Sequence, residues 1–206
     1  MAPTGVGSSN GGGAGIMTSA AIAVDPLVCT IGHSTLALSE FIHLLQINGV
    51  THVLDVRSVP RSRHNPQFNR DSLPAALQVV GIDYTHLAGL GGLRHAQRDS
   101  INTGWRNASF RGYADYMQTA DFEQHLQHAI VLAQQQRCAL MCAEAVPWRC
   151  HRSLIADALV VRGMRVEDII GPHGRTPHRL TPFAKVRGTH VHYPPGAPAP
   201  TEATRD

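Results

Sequence analysis

The sequence predicts an α/β fold: a single three-layer α/β/α domain around a mainly parallel sheet of about five strands. Two observations lead to this prediction. Short apolar runs rich in β-forming residues alternate along the chain with longer segments of helical period. Glycine follows most of the helical segments, in the position where a left-handed residue commonly ends a helix. Strands that alternate with helices pair in parallel and carry helices on both faces of the sheet.

Each predicted strand is a short apolar run bounded by polar or turn residues. The strands are residues 27–31, 53–56, 82–87, 138–141 and 165–170. Each predicted helix lies between two strands and most have a start or stop signal. The helices are residues 39–48 (capped by Ser39, ended by Gly49), about 72–80 (capped by Asp71 or Ser72, ended by Gly81), 113–118, 121–136 (capped by Asp121) and 148–162 (ended by Gly163).

Composition divides the chain into three parts. Residues 1–25 are rich in Gly, Ser and Ala and form a predicted disordered leader, because such a segment cannot offset its ordering entropy by burial. Residues 26–187 form the predicted domain. Residues 188–206 form a Pro-rich tail that we expect to be extended and flexible.

Charge, hydropathy and cysteine content narrow the class of protein. The net charge of +3 is too small to argue by itself for a nucleic-acid partner. No apolar run approaches the roughly 18 residues that span a bilayer, so we expect no membrane partner. The first residues lack the basic start and apolar stretch of a signal peptide. The four cysteines are therefore expected to be reduced thiols in a cytoplasmic protein.

The densest group of reactive side chains follows the fourth predicted strand. In a parallel sheet the residues after each strand share one edge, and ligands of open α/β folds bind outside that edge. The following helix adds unpaired N–H groups and a partial positive charge. The group consists of Cys142, Glu144, Arg149, Cys150, His151 and Arg152.

Cys142 and Glu144 are the candidate catalytic residues. A thiol at a strand end that faces a helix start has a lowered pKa and forms thiolate more readily. Alternatively, Cys142 is a small buried apolar residue, as expected for Cys29 and Cys138. Glu144 is a candidate general base, nucleophile or acceptor for a ribose hydroxyl, and its structural alternative is a helix cap or an ion pair with arginine.

Cys150, His151 and Arg152 open the predicted helix, on which consecutive side chains point about 100° apart. One or two of them therefore face the ligand edge. Arg152 is the best candidate to bind an anion, since a planar guanidinium suits phosphate or carboxylate. The sequence favours no cofactor. Soft ligands for zinc or iron are nevertheless available from Cys150 and His151, together with Cys142 and His33.

A second candidate region follows the second strand. Between Val56 and Asp71 there are four arginines and no acidic residue. Such a loop predicts an anionic small-molecule partner, most simply a phosphate-bearing one. Arg57 stands at the strand end, and Arg61 and Arg63 follow it; the alternative is a solvated basic loop.

Three further residues are candidate binding residues. His33 and Ser34 follow the first strand and can both hydrogen-bond an oxyanion. Trp105 lies in the irregular segment 88–110, whose length is typical of a lid or binding element. It either stacks on a base or fills the core.

Several motifs in order resemble the DUF488 family of bacterial and archaeal proteins. They are Thr-Ile-Gly-His-Ser at 30–34, Asp-Val-Arg at 55–57, Asn-Pro-Gln-Phe-Asn at 65–69, Leu-Gly-Gly at 90–92, Gly-Tyr-Ala-Asp-Tyr-Met at 112–117, and Cys-Ala-Glu at 142–144 with Cys-His-Arg at 150–152. The resemblance spans about residues 27–172 and implies a small cytoplasmic α/β domain of uncharacterised function. The motif positions include Asp55, Cys150 and His151 beside the candidates above.

The sequence thus supports three hypotheses. The first is an enzyme, a hydrolase or transferase, that acts on an anionic, phosphate- or nucleotide-bearing small molecule. The second is a metal-binding or redox thiol protein that uses Cys142, Cys150 and a histidine. The third is a nucleic-acid-binding module that combines the arginine loop with Trp105, against which the aromatic content of 5% argues.

Overall fold

A computed structural model of the chain describes residues 26–196. The predicted leader, residues 1–25, and the last part of the predicted tail, residues 197–206, lie outside the described residues. Between them the chain folds into a six-stranded sheet with helices on both faces, which confirms the three-layer α/β class. In the described part of the chain, no helix has the length and apolar character needed to cross a membrane.

The sheet is mostly parallel, as predicted. Its strands are β1 Leu27–Gly32, β2 His52–Asp55, β3 Asp83–His86, β4 Cys138–Cys142, β5 Arg165–Gly171 and β6 Gly174–Pro177. Their spatial order is β3-β2-β4-β1-β5-β6, and β6 alone among them is antiparallel to its neighbour. Strand β4 therefore lies between β1 and β2, and pairs in parallel with both.

Five helices cover the sheet in the described residues. They are α1 Leu38–Ile47, α2 Leu73–Val79, α3 Ala108–Tyr116, α4 Ala120–Gln135 and α5 Arg152–Val160. Apolar residues of α1 and α2 pack in one cluster with one face of the sheet, and those of α3, α4 and α5 pack in a second cluster with the other face. Successive residues of the central strands β1, β2 and β4 contribute to opposite clusters, as expected for a sheet buried on both sides.

Several predicted element boundaries were wrong by a few residues, and the caps explain why. Ser39 lies inside α1, whose N-cap is Ala37. Asp121 lies in the first turn of α4, because the Thr119 side chain accepts from the backbone N–H of Phe122 and caps that helix. The stops were read correctly where a left-handed glycine stands, as at Gly49 with φ 65° and Gly163 with φ 78°.

The helix predicted at 148–162 is shorter and begins later. A 3₁₀ turn occupies Pro147–Arg149, and Cys150 is extended, with φ −132° and ψ 142°. The α-helix begins only at Arg152. Cys150 is therefore outside the helix, and its side chain is not bound by the 100° spacing of helical neighbours.

The tail was predicted to begin too early. A hairpin of β7 Lys185–Arg187 and β8 His190–His192 was missed, and β8 lies inside the range expected to be flexible. Tyr193 is fully buried, and its hydroxyl donates to Asp157 at 2.8 Å. The same aspartate accepts from His178, whose other ring nitrogen contacts Asp168. This buried polar network fixes residues 178–193 against α5 and β5.

Candidate functional site

The candidate site lies at the carboxyl edge of the sheet, where β2, β4 and β1 end side by side. Because β4 is the middle strand of the three, its last residue, Cys142, stands between the segments that follow β1 and β2. The backbone confirms this alignment, since His33 N–H donates to Cys142 O at 3.0 Å and Val56 N–H donates to Met141 O at 3.0 Å.

Two thiols and an imidazole meet at this point. The ligand atoms of Cys142, Cys150 and His151 all lie within 4.8 Å of one another. The two thiols are 6% and 3% exposed, so they are largely withdrawn from water. The Sγ of Cys150 is 3.7 Å from His151 Nδ1. We call these three residues the thiol cluster.

A backbone carbonyl fixes the orientation of the His151 ring. Its Nε2 lies 3.0 Å from the carbonyl oxygen of Val56, which can only accept, so Nε2 carries the proton. In the neutral ring the unprotonated Nδ1 therefore faces the thiols. Gly92 permits this position, because a Cβ there would lie 2.5 Å from Nδ1. Tyr113 packs on the ring, with centroids 4.9 Å apart.

The thiol cluster lowers the pKa of Cys142. The main cause is a hydrogen bond from the Cys150 thiol; burial opposes it, and His151 and the backbone N–H of Glu144 add to the lowering. The hydrogen bond to Cys142 and burial raise the pKa of Cys150. These contacts therefore favour the thiolate form at Cys142 over that at Cys150. Burial is the main cause that raises the pKa of Cys29 to about 11 and that of Cys138 to about 12, as expected for structural thiols.

The loop of residues 143–149, between β4 and α5, is held from below by Arg152. This arginine was expected to bind an anion, and the expectation was wrong: its side chain is 0% exposed. It donates to Glu144 O at 2.6 Å, to Ala145 O at 3.0 Å and, more weakly, to Thr30 Oγ1 at 3.4 Å. Arg152 therefore positions the loop that carries the N–H group facing Cys142.

The thiol cluster forms one wall of a pocket of about 370 Å³, which we call the thiol pocket. This volume suits a small molecule. The exposed Glu144 also lines the pocket, and its catalytic role stays a prediction. Sequence reasoning missed the apolar side, made by Val59, Leu93 and Phe110, and treated the lining residue Arg149 only as a neighbouring charge. Only the tertiary fold brings these distant segments together.

Asp55, Arg57 and His33 form a buried group beside the thiol pocket. Asp55 Oδ2 lies 2.5 Å from Arg57 Nη2, and Asp55 Oδ1 accepts from Arg57 Nε at 2.9 Å, so this carboxylate orients the guanidinium. Arg57 Nη1 donates to His33 Nε2 at 3.1 Å. The His33 ring stacks on Phe68 with centroids 4.2 Å apart, and burial lowers its pKa. His33 is therefore neutral and 2% exposed, and it supports Arg57. It also lines the pocket described next, so ligand binding by His33 stays a prediction.

A second pocket of about 380 Å³ adjoins the thiol pocket, and we call it the basic pocket. It is lined by His33, Ser34, Arg61 and Asn65 among others, and it shares Arg57, Val59 and Ala143 with the thiol pocket. Arg63 lines a further pocket on the outer side of the same loop, which Arg61 also lines. The structure thus separates the predicted binding residues into two neighbouring pockets and an outer surface.

Trp105 lies elsewhere, contrary to the idea that it works beside the arginine loop. Its ring packs in an aromatic cluster with Phe110, Phe183 and Tyr193, at centroid distances of 4.6, 4.9 and 5.6 Å. It lines a pocket that contains no residue of the thiol cluster. Of the two alternatives for Trp105, stacking on a base or filling the core, these contacts therefore support the second.

The residues fit a metal ion as a set of three. Two thiolates and one imidazole, with its far nitrogen held by a carbonyl, are a ligand set that zinc accepts, and the fourth position would face the pocket. His33 does not belong to the set, since its Nε2 accepts from Arg57.

Together these features define a three-layer α/β protein with a thiol–imidazole cluster at the carboxyl edge of its sheet. The model of the family described as Domain of unknown function DUF488 matches residues 37–159. The chain therefore belongs to the DUF488 family, as its motifs indicated, although the motif at 30–34 precedes the matched range. No curated protein and no solved structure matches the chain.

Proposed function

We propose that the protein is an enzyme that acts on an anionic small molecule through the thiolate of Cys142. The observation that carries the proposal is the meeting of this thiol with Cys150, His151 and the Glu144 N–H at the wall of a small-molecule pocket. A nucleophile beside a base, with the base oriented by a third group, is the arrangement that covalent catalysis requires.

Each member of the site has a part in the proposed reaction. Cys142 Sγ, whose proton has passed to His151 Nδ1, attacks an electrophilic centre of the substrate. The bond from that centre to the leaving group breaks, and the His151 imidazolium gives the leaving group its proton. Glu144, at the pocket rim, then removes a proton from water or from an acceptor hydroxyl, whose oxygen displaces the Cys142 thiolate. The proton passes from Glu144 to His151 through solvent, which restores the starting state. Water makes the reaction a hydrolysis, and an acceptor makes it a transfer.

The first test is the pH profile of alkylation by iodoacetamide, followed for each cysteine by mass spectrometry. Between pH 5.5 and 7.5 an ordinary thiol reacts about tenfold faster for each unit of pH, because its thiolate fraction rises so. We expect the rate at Cys142 to stay nearly flat over this range. Cys29 and Cys138 are internal controls and should remain unlabelled. A tenfold rise per unit at Cys142 would show an ordinary thiol and contradict the proposal.

Glu144→Gln separates the carboxylate from the backbone of the same residue. The variant should keep the flat profile, because only the backbone N–H of Glu144 contacts the thiolate. It should lose turnover of any substrate found in a panel of phosphate- and nucleotide-bearing esters. Full turnover in this variant would remove Glu144 from the mechanism.

A metal-dependent site is the second candidate function, and the three converging ligand atoms favour it. Zinc or iron bound there would act on the pocket through its open fourth position. The test is plasma mass spectrometry of the untagged protein beside Cys142→Ser. About one metal per chain, absent from the variant, would make Cys142 a ligand, whereas metal-free protein with a flat alkylation profile would leave it the nucleophile.

A further inference from the structure

We propose that the basic pocket binds the anionic group of the substrate, a phosphate or a similar oxyanion, through Arg61, Arg57 and the Ser34 hydroxyl. The inference rests on the proposed function, because it places the reacting part of the same molecule in the thiol pocket. Arg152, the anion contact that the sequence favoured, is buried, so other residues must bind the anion.

Charge is the first support. No carboxylate lines the basic pocket, whereas Arg57 and Arg61 both do. Asp55 largely balances the charge of Arg57, and hydrogen bonds to Asp55, Phe68 O and His33 use its Nε, both Nη2 protons and one Nη1 proton. Arg57 therefore offers a ligand one Nη1 N–H and little net charge. Arg61 is exposed, and its side chain makes no hydrogen bond or ion pair with any residue of the described range 26–196. It is therefore available to a ligand, and a guanidinium is well shaped for an oxyanion.

The second support is that the loop carrying Arg61 is ordered by its own hydrogen bonds. Arg70 N–H donates to Pro60 O at 2.9 Å, and Ser62 N–H donates to Asn69 Oδ1 at 2.6 Å. The two ends of the loop are thereby tied together on either side of Arg61. A side chain presented from a fixed backbone loses less entropy when it binds.

The third support is the backbone of Ser34. Its φ of 46° lies in the left-handed region, and it is the only described residue other than glycine with a positive φ. Such a conformation is costly for serine and concentrates at functional sites. It occurs where the segment after β1 lines the basic pocket, with the Ser34 N–H donating to Ala143 O at 2.9 Å.

The fourth support is that the basic pocket and the thiol pocket are adjacent. Arg57, Val59 and Ala143 line both pockets, and Ala143 directly follows Cys142. One molecule can therefore place its anion in the basic pocket and its electrophilic atom in the thiol pocket. The substrate class is a small phosphate-type ester or anhydride. Its reacting bond belongs to the charged group or lies a few atoms away from it.

The test uses inorganic phosphate as the probe and follows backbone amide shifts by NMR. Phosphate should shift the amides of residues 33–35 and 57–65 in a saturable way. Arg61→Gln should weaken this binding about tenfold, the value of one charge-assisted hydrogen bond. Arg70→Gln is the matched control. Arg70 is exposed on the same loop and lines neither pocket, and its replacement removes the same charge. This variant should change phosphate binding less than about twofold.

A second readout connects the basic pocket to Cys142. Arg61→Gln should slow alkylation of Cys142 by the anion iodoacetate about threefold at low salt, and should leave alkylation by neutral iodoacetamide unchanged.

The outcomes distinguish this inference from the proposed function. Saturable phosphate shifts that depend on Arg61 support the basic pocket even if Cys142 behaves as an ordinary thiol. Ordinary behaviour of Cys142 would contradict only the proposed function. A flat alkylation profile at Cys142 with no phosphate shifts, or with equal effects of the Arg61 and Arg70 variants, overturns the inference and leaves the proposed function standing.

Discussion

Replacing Gly32 by alanine tests whether the loop of residues 143–149 activates Cys142. Gly32 ends β1 and pairs with Cys142 in the sheet register. An alanine Cβ would lie 1.8 Å from Glu144 O and 2.7 Å from Glu144 C, both backbone atoms. Because ordinary contact begins near 3.4 Å, the carbonyl must retreat by roughly 1.6 Å. The same oxygen accepts from Arg152 at 2.6 Å, so this retreat breaks the hydrogen bond.

Two measurements follow from this displacement. Overpacking together with the lost charge-assisted hydrogen bond should lower the free energy of unfolding by about 3 kcal/mol, which urea titration measures. Movement of the Glu144 N–H away from the thiolate should raise the pH midpoint of Cys142 alkylation by about one unit.

Gly171→Ala is the matched control for this experiment. Gly171 ends β5 at the same edge of the sheet, and a Cβ there meets nothing within 4 Å. It should therefore change neither stability nor the alkylation profile. If folded Gly32→Ala kept the wild-type midpoint while Cys142 remained reactive, the loop would not contribute to the lowered pKa of Cys142.

Three further predictions concern the surrounding structure. Although burial opposes its charge, hydrogen bonds to Asp157 and Asp168 raise the pKa of His178 to about 9. Its contribution to the free energy of unfolding, about 3 kcal/mol, should be complete below pH 6.5 and lost as pH rises through about 9. Urea titrations should therefore show wild type more stable than His178→Gln at low pH, with the difference shrinking toward pH 9. An equal difference at every pH would contradict this. Arg152→Met should cost about 3 kcal/mol, because it removes the hydrogen bonds of a buried guanidinium to Glu144 O and Ala145 O. An effect no larger than that of Arg70→Gln would contradict this role. Mild hydroperoxide should join Cys142 to Cys150 in a disulfide that dithiothreitol reverses, and peptide mapping that finds only unpaired, irreversibly oxidised thiol would refute this.

The sequence was sufficient for those features that depend on local patterns. Apolar runs located the central strands, and left-handed glycines located the helix ends. Parallel topology then predicted that Cys142 and Glu144 would lie at one edge with the segment after β1, without any knowledge of their distances. The order of the strands, with β4 between β1 and β2, was not predictable, because neighbours on both sides of a parallel strand are chosen by packing.

The parts that the sequence did not predict depend on long-range contacts. The charge and position of Arg152 suggested an anion contact, but carbonyls eight and seven residues earlier in the chain take its guanidinium. The strands β6, β7 and β8 are short and largely exposed, so they carry no apolar periodicity by which to recognise them. His33 carried no sign that its ring is fixed between Phe68 and Arg57.

The central place of β4 also bears on how the chain folds. During synthesis β1, β2 and β3 leave the ribosome before β4, yet β1 and β2 have no common edge until β4 inserts between them. Such long-range pairing is slow and comes late in folding. The strand that joins β1 to β2 is also the strand that carries Cys142. Until it is in place the thiol lacks its partners and should have an ordinary pKa of about 8.5. We therefore expect Cys142 to react as an ordinary thiol until β4 has paired with β1 and β2.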